Sequence, residues 1–266
     1  MVSLLVATAL AAAVPADAAP QAAVAEPAMF VVRDADTTIY IFGTFHALDG
    51  QARWFNAPVR AALEQSQELV LETLVPEQPT LPGQFSQFRA PSVTPSASFL
   101  ATTRMAISAG RAQGMQVNNG ADMVLRREAE AEGKRVEGLE TFEFQLDMFN
   151  HMPAAEAPAM PPPASKRQTS AAPMESLSQA MSEMQAAWKR GDQSVFVRML
   201  GQLKTASPDT YRMMFTERNA RWADWIRARM QAPGTVFVAV GAGHLAGSDS
   251  LLVRLAERGI PSERVY

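Results

Sequence analysis

Residues 38–50 have the sequence TIYIFGTFHALDG, an apolar run that breaks at a glycine and leads to His46. Residues 235–247, TVFVAVGAGHLAG, repeat this order and lead to His244. In each segment a glycine lies three residues before the histidine. Because only 15 of the 266 residues are glycine and only three are histidine, chance does not readily produce two such matches. We interpret the two Gly-x-x-His segments as two halves of one site.

The position of each glycine has a physical reason. A strand that must stop and present one side chain needs a residue that tolerates unusual backbone angles or close approach of another chain segment, and glycine does so at least cost. A histidine just past the carboxyl end of a strand lies where open α/β sheets bind their ligands. The alternative, that each is an ordinary core or loop histidine, fits one lone motif better than a matched pair. His151, which borders a Pro-rich stretch, is predicted to be a solvated loop residue.

The remaining pattern predicts an α/β fold. An apolar strand at 68–72 follows a helix that is predicted to begin at Asn56 and Pro58, and a strand–helix–strand unit is typical of a parallel sheet. Residues 29–33 and 38–42 are predicted to form a hairpin. We therefore expect a mixed, largely parallel sheet flanked by helices, with a helical insertion between the two Gly-x-x-His halves.

Composition indicates how the chain is divided. Residues 1–19 are an apolar run that ends in small residues, which predicts a secretory signal peptide. Residues 20–28 are predicted to be a tether and residues 29–266 a single domain, interrupted by Pro-rich loops at about 76–95 and 151–172. No later segment reaches the roughly 18 apolar residues of a membrane span. The expected location is therefore the periplasm or the outside of the cell.

Charge and cysteine content exclude several kinds of function. With 24 basic and 27 acidic residues, the net charge of −3 offers no basic patch for nucleic acid. The chain has no cysteine, so disulfides and thiolate metal sites are excluded and a metal must rest on His, Asp and Glu. The expected partner is a peptide or a small-molecule substrate.

Two glutamates end predicted strands in the same way as the two histidines. Glu72 closes the strand at 68–72, and Glu140 lies at a strand-to-helix turn. Arg218 and Asn219 belong to a long helix that directly precedes the closing strand, so this helix can lie beside the site. The alternatives are a solvated strand end for Glu72, a carboxylate that complements a helix dipole for Glu140, and ordinary ion pairs for the helix.

One further helix has a methionine-rich face. Its residues are Met174, Leu177, Met181, Met184 and Trp188. We expect this face to belong to the core, because methionine packs well in irregular interiors. A lid or the interface of a homodimer is the alternative.

Taken together, these segments resemble the TraB, PrgY and GumN family, whose eukaryotic relatives are the Tiki metalloproteases. The resemblance covers residues 29–266 apart from the two Pro-rich insertions. It rests on six motifs: Ile41-Phe-Gly-Thr-Phe-His46, Leu69-Val-Leu-Glu72, Gly120-Ala-Asp122, Gly138-Leu-Glu-Thr141 with Gln145, Glu217-Arg-Asn219, and Gly241-Ala-Gly-His-Leu245 with Gly247.

The resemblance implies a Tiki-like α/β fold, related to the erythromycin esterase and ChaN-like group. It also implies that both Gly-x-x-His motifs and the acidic residues form one site, which in Tiki proteins performs metal-dependent proteolysis with manganese or cobalt. We therefore expect a metal-dependent hydrolase, in particular a peptidase. His46 and His244 would hold manganese, cobalt or zinc together with Glu72 or Glu140.

In this hypothesis the second of the two glutamates acts as a general base. Arg218 or Asn219 stabilises the oxyanion that develops during the reaction. Two other functions fit the same residues. One is a metal-free hydrolase in which a histidine is the general base, and the other is a protein that binds a peptide, haem or a metal without turnover.

Overall fold

The computed structural model describes part of the chain. The predicted signal peptide, the first Pro-rich loop and most of the second lie outside the described residues. The second loop was predicted to extend to residue 172, but a helix already begins at Ala171. In the predicted tether, Ala25 and Ala28 are buried. The described residues are 24–51, 53–74, 97–151 and 171–265.

A six-stranded sheet forms the centre of the protein, in the order β4-β3-β5-β2-β1-β6. Strands β4, β3, β5 and β2 are parallel to one another, and β1 is antiparallel to both of its neighbours. The sheet is therefore mixed and largely parallel, which confirms the predicted α/β class. The strands are β1 Met29–Arg33, β2 Thr37–Thr44, β3 Glu68–Thr73, β4 Arg135–Glu140, β5 Gly234–Gly241 and β6 Glu263–Arg264.

Helices cover both faces of this sheet. The predicted start of the first helix is confirmed, since the Asn56 side chain accepts a hydrogen bond from the backbone of Val59 and proline follows at the next turn position. His151 is exposed, as predicted. The α-helices are α1 Ala57–Gln65, α2 Ala97–Ala112, α3 Ala121–Ala131, α4 Phe142–Asn150, α5 Ala171–Lys189, α6 Ser194–Ala206, α7 Pro208–Tyr211, α8 Glu217–Arg229 and α9 Leu251–Ala256.

Three short turns complete the helical structure. A π-helical turn at Arg212–Thr216 joins α7 to α8, so the long helix predicted from residue 208 to 230 is one run with a local irregularity. The two 3₁₀ turns are Val117–Asn119, before α3, and Ala242–Leu245, directly after β5.

The strands alternate their side chains between two separate cores. Phe42 of β2 packs with Trp54 and Trp188 under α1, α3, α5 and α6. Ile41, the neighbour of Phe42, packs with Trp222 under α8 and α9 on the other face. Because both faces are covered, the central strands read as continuous apolar runs rather than as alternating ones. No helix in the described part of the chain is long and apolar enough to cross a membrane.

A buried ion pair lies at the amino end of β3, opposite the end where the predicted site residues lie. The Glu68 side chain is 3% exposed, and one of its oxygens accepts a hydrogen bond of 2.7 Å from Arg229 Nε, while Arg135 pairs with the other. Burial by itself raises the pKa of Glu68. The hydrogen bonds from Arg229 and Arg135 outweigh burial and hold this pKa below its ordinary value of 4.5.

We predict that Glu68→Gln lowers the free energy of unfolding by about 2 kcal/mol at pH 7, because it removes a buried charge-assisted contact. The folded-state pKa is depressed, so this stabilisation is present above pH 4.5 and is lost as the pH falls through the folded pKa. Urea unfolding at pH 7 and pH 4 measures the difference. Glu263→Gln is the control, because Glu263 pairs with Arg33 but is 74% exposed; an equal loss in both variants would contradict the prediction.

Candidate active site

The carboxyl ends of the four parallel strands bring the predicted site residues to one edge of the sheet. His46 lies two residues after β2, Glu72 is the fifth of the six residues of β3, and Glu140 is the last residue of β4. His244 lies in the 3₁₀ turn that follows β5. Because β2, β5, β3 and β4 are neighbours in this order, the four side chains share one rim, which is where ligands bind in open α/β sheets.

The glycine of the second motif opens a small space between three of these side chains. A side-chain carbon at Gly241 would lie 3.0 Å from Glu72 Oε1, 3.3 Å from His46 Nε2 and 3.7 Å from His244 Cδ2. The Gly241 backbone nitrogen also donates a hydrogen bond of 2.6 Å to Glu72 Oε1. A larger residue would fill the point on which the three side chains converge.

The glycine of the first motif allows the two motif turns to approach each other. A side-chain carbon at Gly43 would lie 3.3 Å from the Cα of Ala242 and 3.3 Å from the side chain of Leu245. Its carbonyl oxygen accepts a hydrogen bond of 2.7 Å from Trp188 Nε1. Both glycines of the repeated pattern therefore serve close packing around one site, which is the purpose that the sequence pattern predicted for them.

His244 is a buried, neutral histidine. Its Nε2 lies 3.2 Å from a guanidinium nitrogen of Arg218, and its Nδ1 lies 2.7 Å from Asn219 Oδ1. Because a guanidinium group can only donate, we assign the ring proton to Nδ1, where it is donated to the Asn219 amide oxygen. Burial, together with the positive charge of Arg218, lowers the pKa of His244 to about 3.

Asn219 lies behind His244 and positions it. Its amide nitrogen donates a hydrogen bond of 2.7 Å to the backbone oxygen of Asp249, so both ends of the amide are already paired. The ring of His244 is also held between Phe215 and Trp222, with centroid separations of 4.9 and 4.4 Å. The structure thus orients Asn219 toward His244, and the role in oxyanion stabilisation that the sequence predicted for it stays untested.

Arg218 joins the two glutamates. The Arg218 residue is 3% exposed, its Nε lies 3.0 Å from each oxygen of Glu140, and its Nη2 lies 2.8 Å from Glu140 and 3.0 Å from Glu72. Glu140 accepts a further hydrogen bond of 3.1 Å from Trp222 Nε1. The described residues therefore saturate Glu140, while Glu72 directs its Oε1 toward Gly241.

The charges around Glu72 keep it ionised. Burial raises the pKa of this carboxyl, but the positive charges of His244 and Arg218 outweigh burial and lower the pKa to about 2. Glu72 is thus a carboxylate at neutral pH, and it faces the same space as His46 Nε2.

Asp122 is a site residue that sequence reasoning missed. His46 Nδ1 lies 3.2 Å from Asp122 Oδ1, in the first turn of α3. Enclosure lowers the pKa of His46, but the hydrogen bond to Asp122 and the charges of Asp122 and Glu72 outweigh it and raise the pKa to about 9. The available signal was the Gly120-Ala-Asp122 motif, which begins a helix and docks on this segment through a hydrogen bond of 2.9 Å from Ala121 to the Phe45 backbone oxygen.

Thr44, the last residue of β2, has a buried hydroxyl that makes no hydrogen bond with any described residue. It lines the same cavity as the histidines. Thr37, at the other end of the same strand, is also buried, but its hydroxyl lies 3.1 Å from the backbone oxygen of Ala232. A buried hydroxyl without a partner costs free energy, which makes Thr44 a donor available to a bound ligand.

A cavity of about 1070 Å³ opens over this rim, and His46, Glu72, Arg218 and His244 line it. The methionine-rich face of α5 was predicted to belong to the core. That prediction holds at Trp188, which is buried, but Met181 and Met184 line the cavity instead. The reason is that the end of α5 packs over the sheet, whereas the preceding turns extend past the ends of the strands.

The fold and the cavity define an α/β protein with a polar site at the carboxyl ends of its parallel strands. The sequence model of the TraB/PrgY/gumN family matches this chain at residues 28–100 and 80–264. The protein belongs to the TraB/PrgY/gumN family. No curated protein and no solved structure matches the chain.

Within the described residues, no three His, Asp or Glu side chains form a ready-made metal-binding group. Two donors, His46 Nε2 and Glu72 Oε1, nevertheless face the space at Gly241. The third, His244 Nε2, would become available if the guanidinium group of Arg218 moved away from it. The nitrogen and oxygen donors suit manganese, cobalt or zinc, so the residues fit a divalent cation after one side-chain movement.

We predict that Thr44→Val leaves the melting temperature unchanged or raises it, because the substitution removes an unpaired buried hydroxyl. The matched variant Thr37→Val should lose about 1 kcal/mol, because it removes a hydrogen bond and leaves a buried carbonyl without its partner. Differential scanning calorimetry of the two variants measures both effects. A larger loss for Thr44→Val than for Thr37→Val would contradict the prediction.

We also predict that Arg218→Met destabilises the protein by about 3–5 kcal/mol at pH 7, because it leaves two buried carboxylates unpaired. Burial would then raise their folded-state pKa values, so the loss should shrink as the pH falls and the carboxyls become protonated. Denaturant unfolding at pH 7 and pH 4 measures it. Arg221→Met is the control, because the Arg221 side chain is 47% exposed and approaches Glu140 only to 3.5 Å; a loss for Arg218→Met that does not depend on pH would refute the explanation.

Proposed function

We propose that this protein is a metal-dependent hydrolase, and specifically a peptidase. The observation that carries the proposal is the convergence of His46 Nε2, Glu72 Oε1 and His244 on the space left free by Gly241, at the floor of a large cavity. His46, Glu72 and His244 would hold the cation. Manganese, cobalt and zinc are the candidates for this donor set.

The partners of these three residues support the same role. Asp122 holds the His46 ring through Nδ1 and Asn219 holds the His244 ring through its Nδ1, so each Nε2 is directed to the site. Histidine ligands of metals are commonly oriented by such a second hydrogen bond. His46 carries a proton at neutral pH because its pKa is about 9, so cation binding at this residue would release a proton.

A bound divalent cation would polarise the substrate carbonyl and make a water molecule acidic enough to attack it near neutral pH. The protein would supply the remaining groups. Glu72 is ionised and faces the cavity, so it can accept a proton from the attacking water. Arg218 and Thr44 line the same cavity and can donate hydrogen bonds to the oxyanion.

In this proposal Glu140 does not touch the substrate. Its carboxylate is paired with Arg218 and Trp222, and it is not among the described residues that line the cavity. It would instead hold Arg218 in place. The predicted secretory leader would place the activity in the periplasm or outside the cell.

A metal-free hydrolase is the second candidate, and one observation favours it. Arg218 donates to His244 Nε2, so one of the three donors is taken in this arrangement. His46, paired with Asp122, would then act as the general base, since a carboxylate that orients a histidine also stabilises its protonated form. The two candidates differ in their response to a chelator.

The decisive experiment is calorimetric titration of the dialysed protein with manganese, cobalt and zinc. We expect one ion per chain, no binding at this site in His46→Ala, and an affinity roughly 10–100-fold weaker in Asp122→Asn, which removes the charge that orients the ring. Gly241→Ala should also lose binding, because the new side-chain carbon would lie 3.0 Å from Glu72 Oε1. Circular dichroism checks that each variant folds.

Gly243→Ala is the matched control. It lies in the same turn, and its added carbon would make only an ordinary contact of 3.4 Å with Phe215, so it should bind metal like the parent. If the parent binds no ion, or if His46→Ala binds as well as the parent, the metal-dependent proposal is wrong. Hydrolysis of a peptide library that resists a chelator but is lost in His46→Ala would then establish the metal-free reaction.

A further inference from the structure

The cavity has walls of a different chemical character from its floor. The charged residues of the site, His46 and Glu72 among them, come from the strand ends and from the start of α8. The wall formed by α5, α6 and the π turn is apolar. We call it the methionine wall, and its members are Met181, Met184, Met199, Leu203, Met214 and Phe215.

A wall of this kind accepts apolar groups of varied shape. Methionine has an unbranched, flexible side chain with a polarisable sulfur atom, so it adapts to different apolar partners. The cavity volume of about 1070 Å³ lies at the upper end of the roughly 300–1,000 Å³ that is usual for ligand pockets. The site therefore has room for a large apolar group beside the reacting bond.

A second set of polar side chains lines the same cavity. Arg111 lies at the end of α2, and Gln116 and Asn118 follow in the next turn. All three are exposed, and their side chains make no hydrogen bond or ion pair with any residue in the described ranges. Amide and guanidinium groups can pair with the carbonyl and N–H groups of a peptide backbone. A lipid acyl chain has no use for them.

We propose that the substrates of this site are peptide segments with large apolar side chains. The apolar side chains lie against the methionine wall, and Gln116 and Asn118 pair with the peptide backbone. This inference rests on the proposed hydrolase function, because it specifies the substrate class of the same cavity. It adds a preference among peptides, which the resemblance to the family does not supply.

The test measures binding without turnover. In the His46→Ala background, fluorescence anisotropy compares a fluorescein-labelled hexapeptide of Leu and Phe with one of Ser and Asn. We expect the apolar peptide to bind at least tenfold more tightly. Equal affinity for the two peptides, or no binding of either, overturns the proposal.

Variants on one helix test the wall itself. Met199→Gln should weaken binding of the apolar peptide about tenfold, because it places a polar amide in the wall. Val197→Gln is the matched control: it lies two residues away on α6, is exposed and does not line the cavity, so its affinity should equal that of the background. Met184→Gln repeats the test on α5. A loss as large in Val197→Gln as in the two wall variants overturns the proposal.

Palmitate distinguishes a peptide from an acyl chain. Gln116→Ala should weaken binding of the apolar peptide several-fold. If palmitate displaces the peptide with higher affinity and Gln116→Ala changes neither ligand, the cavity binds acyl chains and the proposal is wrong. Failure of the hydrolase proposal has a different signature, in which the parent protein binds the apolar peptide in preference to the polar one but leaves it intact with every metal.

Discussion

The site depends on one buried cation. The guanidinium group of Arg218 pairs with Glu72 and Glu140, which come from adjacent strands, and it also donates to His244. Two carboxylates and a neutral imidazole cannot be buried together at the end of a sheet without such a partner, because uncompensated buried charge costs several kcal/mol. Arg218 thereby sets the protonation states of its neighbours: two glutamates that remain ionised and a histidine that remains neutral.

Arg218 also distinguishes the two glutamates. Glu140 receives the bidentate contact and the Trp222 indole, so its acceptor positions are used inside the protein. Glu72 is paired with Arg218 through one oxygen and turns the other toward Gly241. Two carboxylates that look alike at the ends of their strands therefore face different surroundings.

Helix α8 brings Arg218 to this place, and the backbone before it is irregular. The π turn Arg212–Thr216 carries Phe215, whose ring packs on His244, and Met214, whose backbone oxygen lies 3.3 Å from a guanidinium nitrogen of Arg218. Single π turns occur often at functional sites, because the extra residue redirects side chains that a regular helix would place elsewhere. The same turn contributes to the methionine wall, so one irregularity shapes both the charged floor and the apolar side of the cavity.

The sequence alone determined the sheet class and the edge at which the site lies. Apolar runs, their glycines and the residues that follow them are local signals, and they identified the strand ends that carry His46, Glu72 and His244. Tertiary structure decided what each side chain contacts. Asp122 meets His46, and Asn219 turns away from the cavity to hold the other histidine, because α3 and α8 pack at particular heights against the strands. No local pattern encodes that placement, since residues 76 to 198 positions apart in sequence become neighbours only when the chain folds.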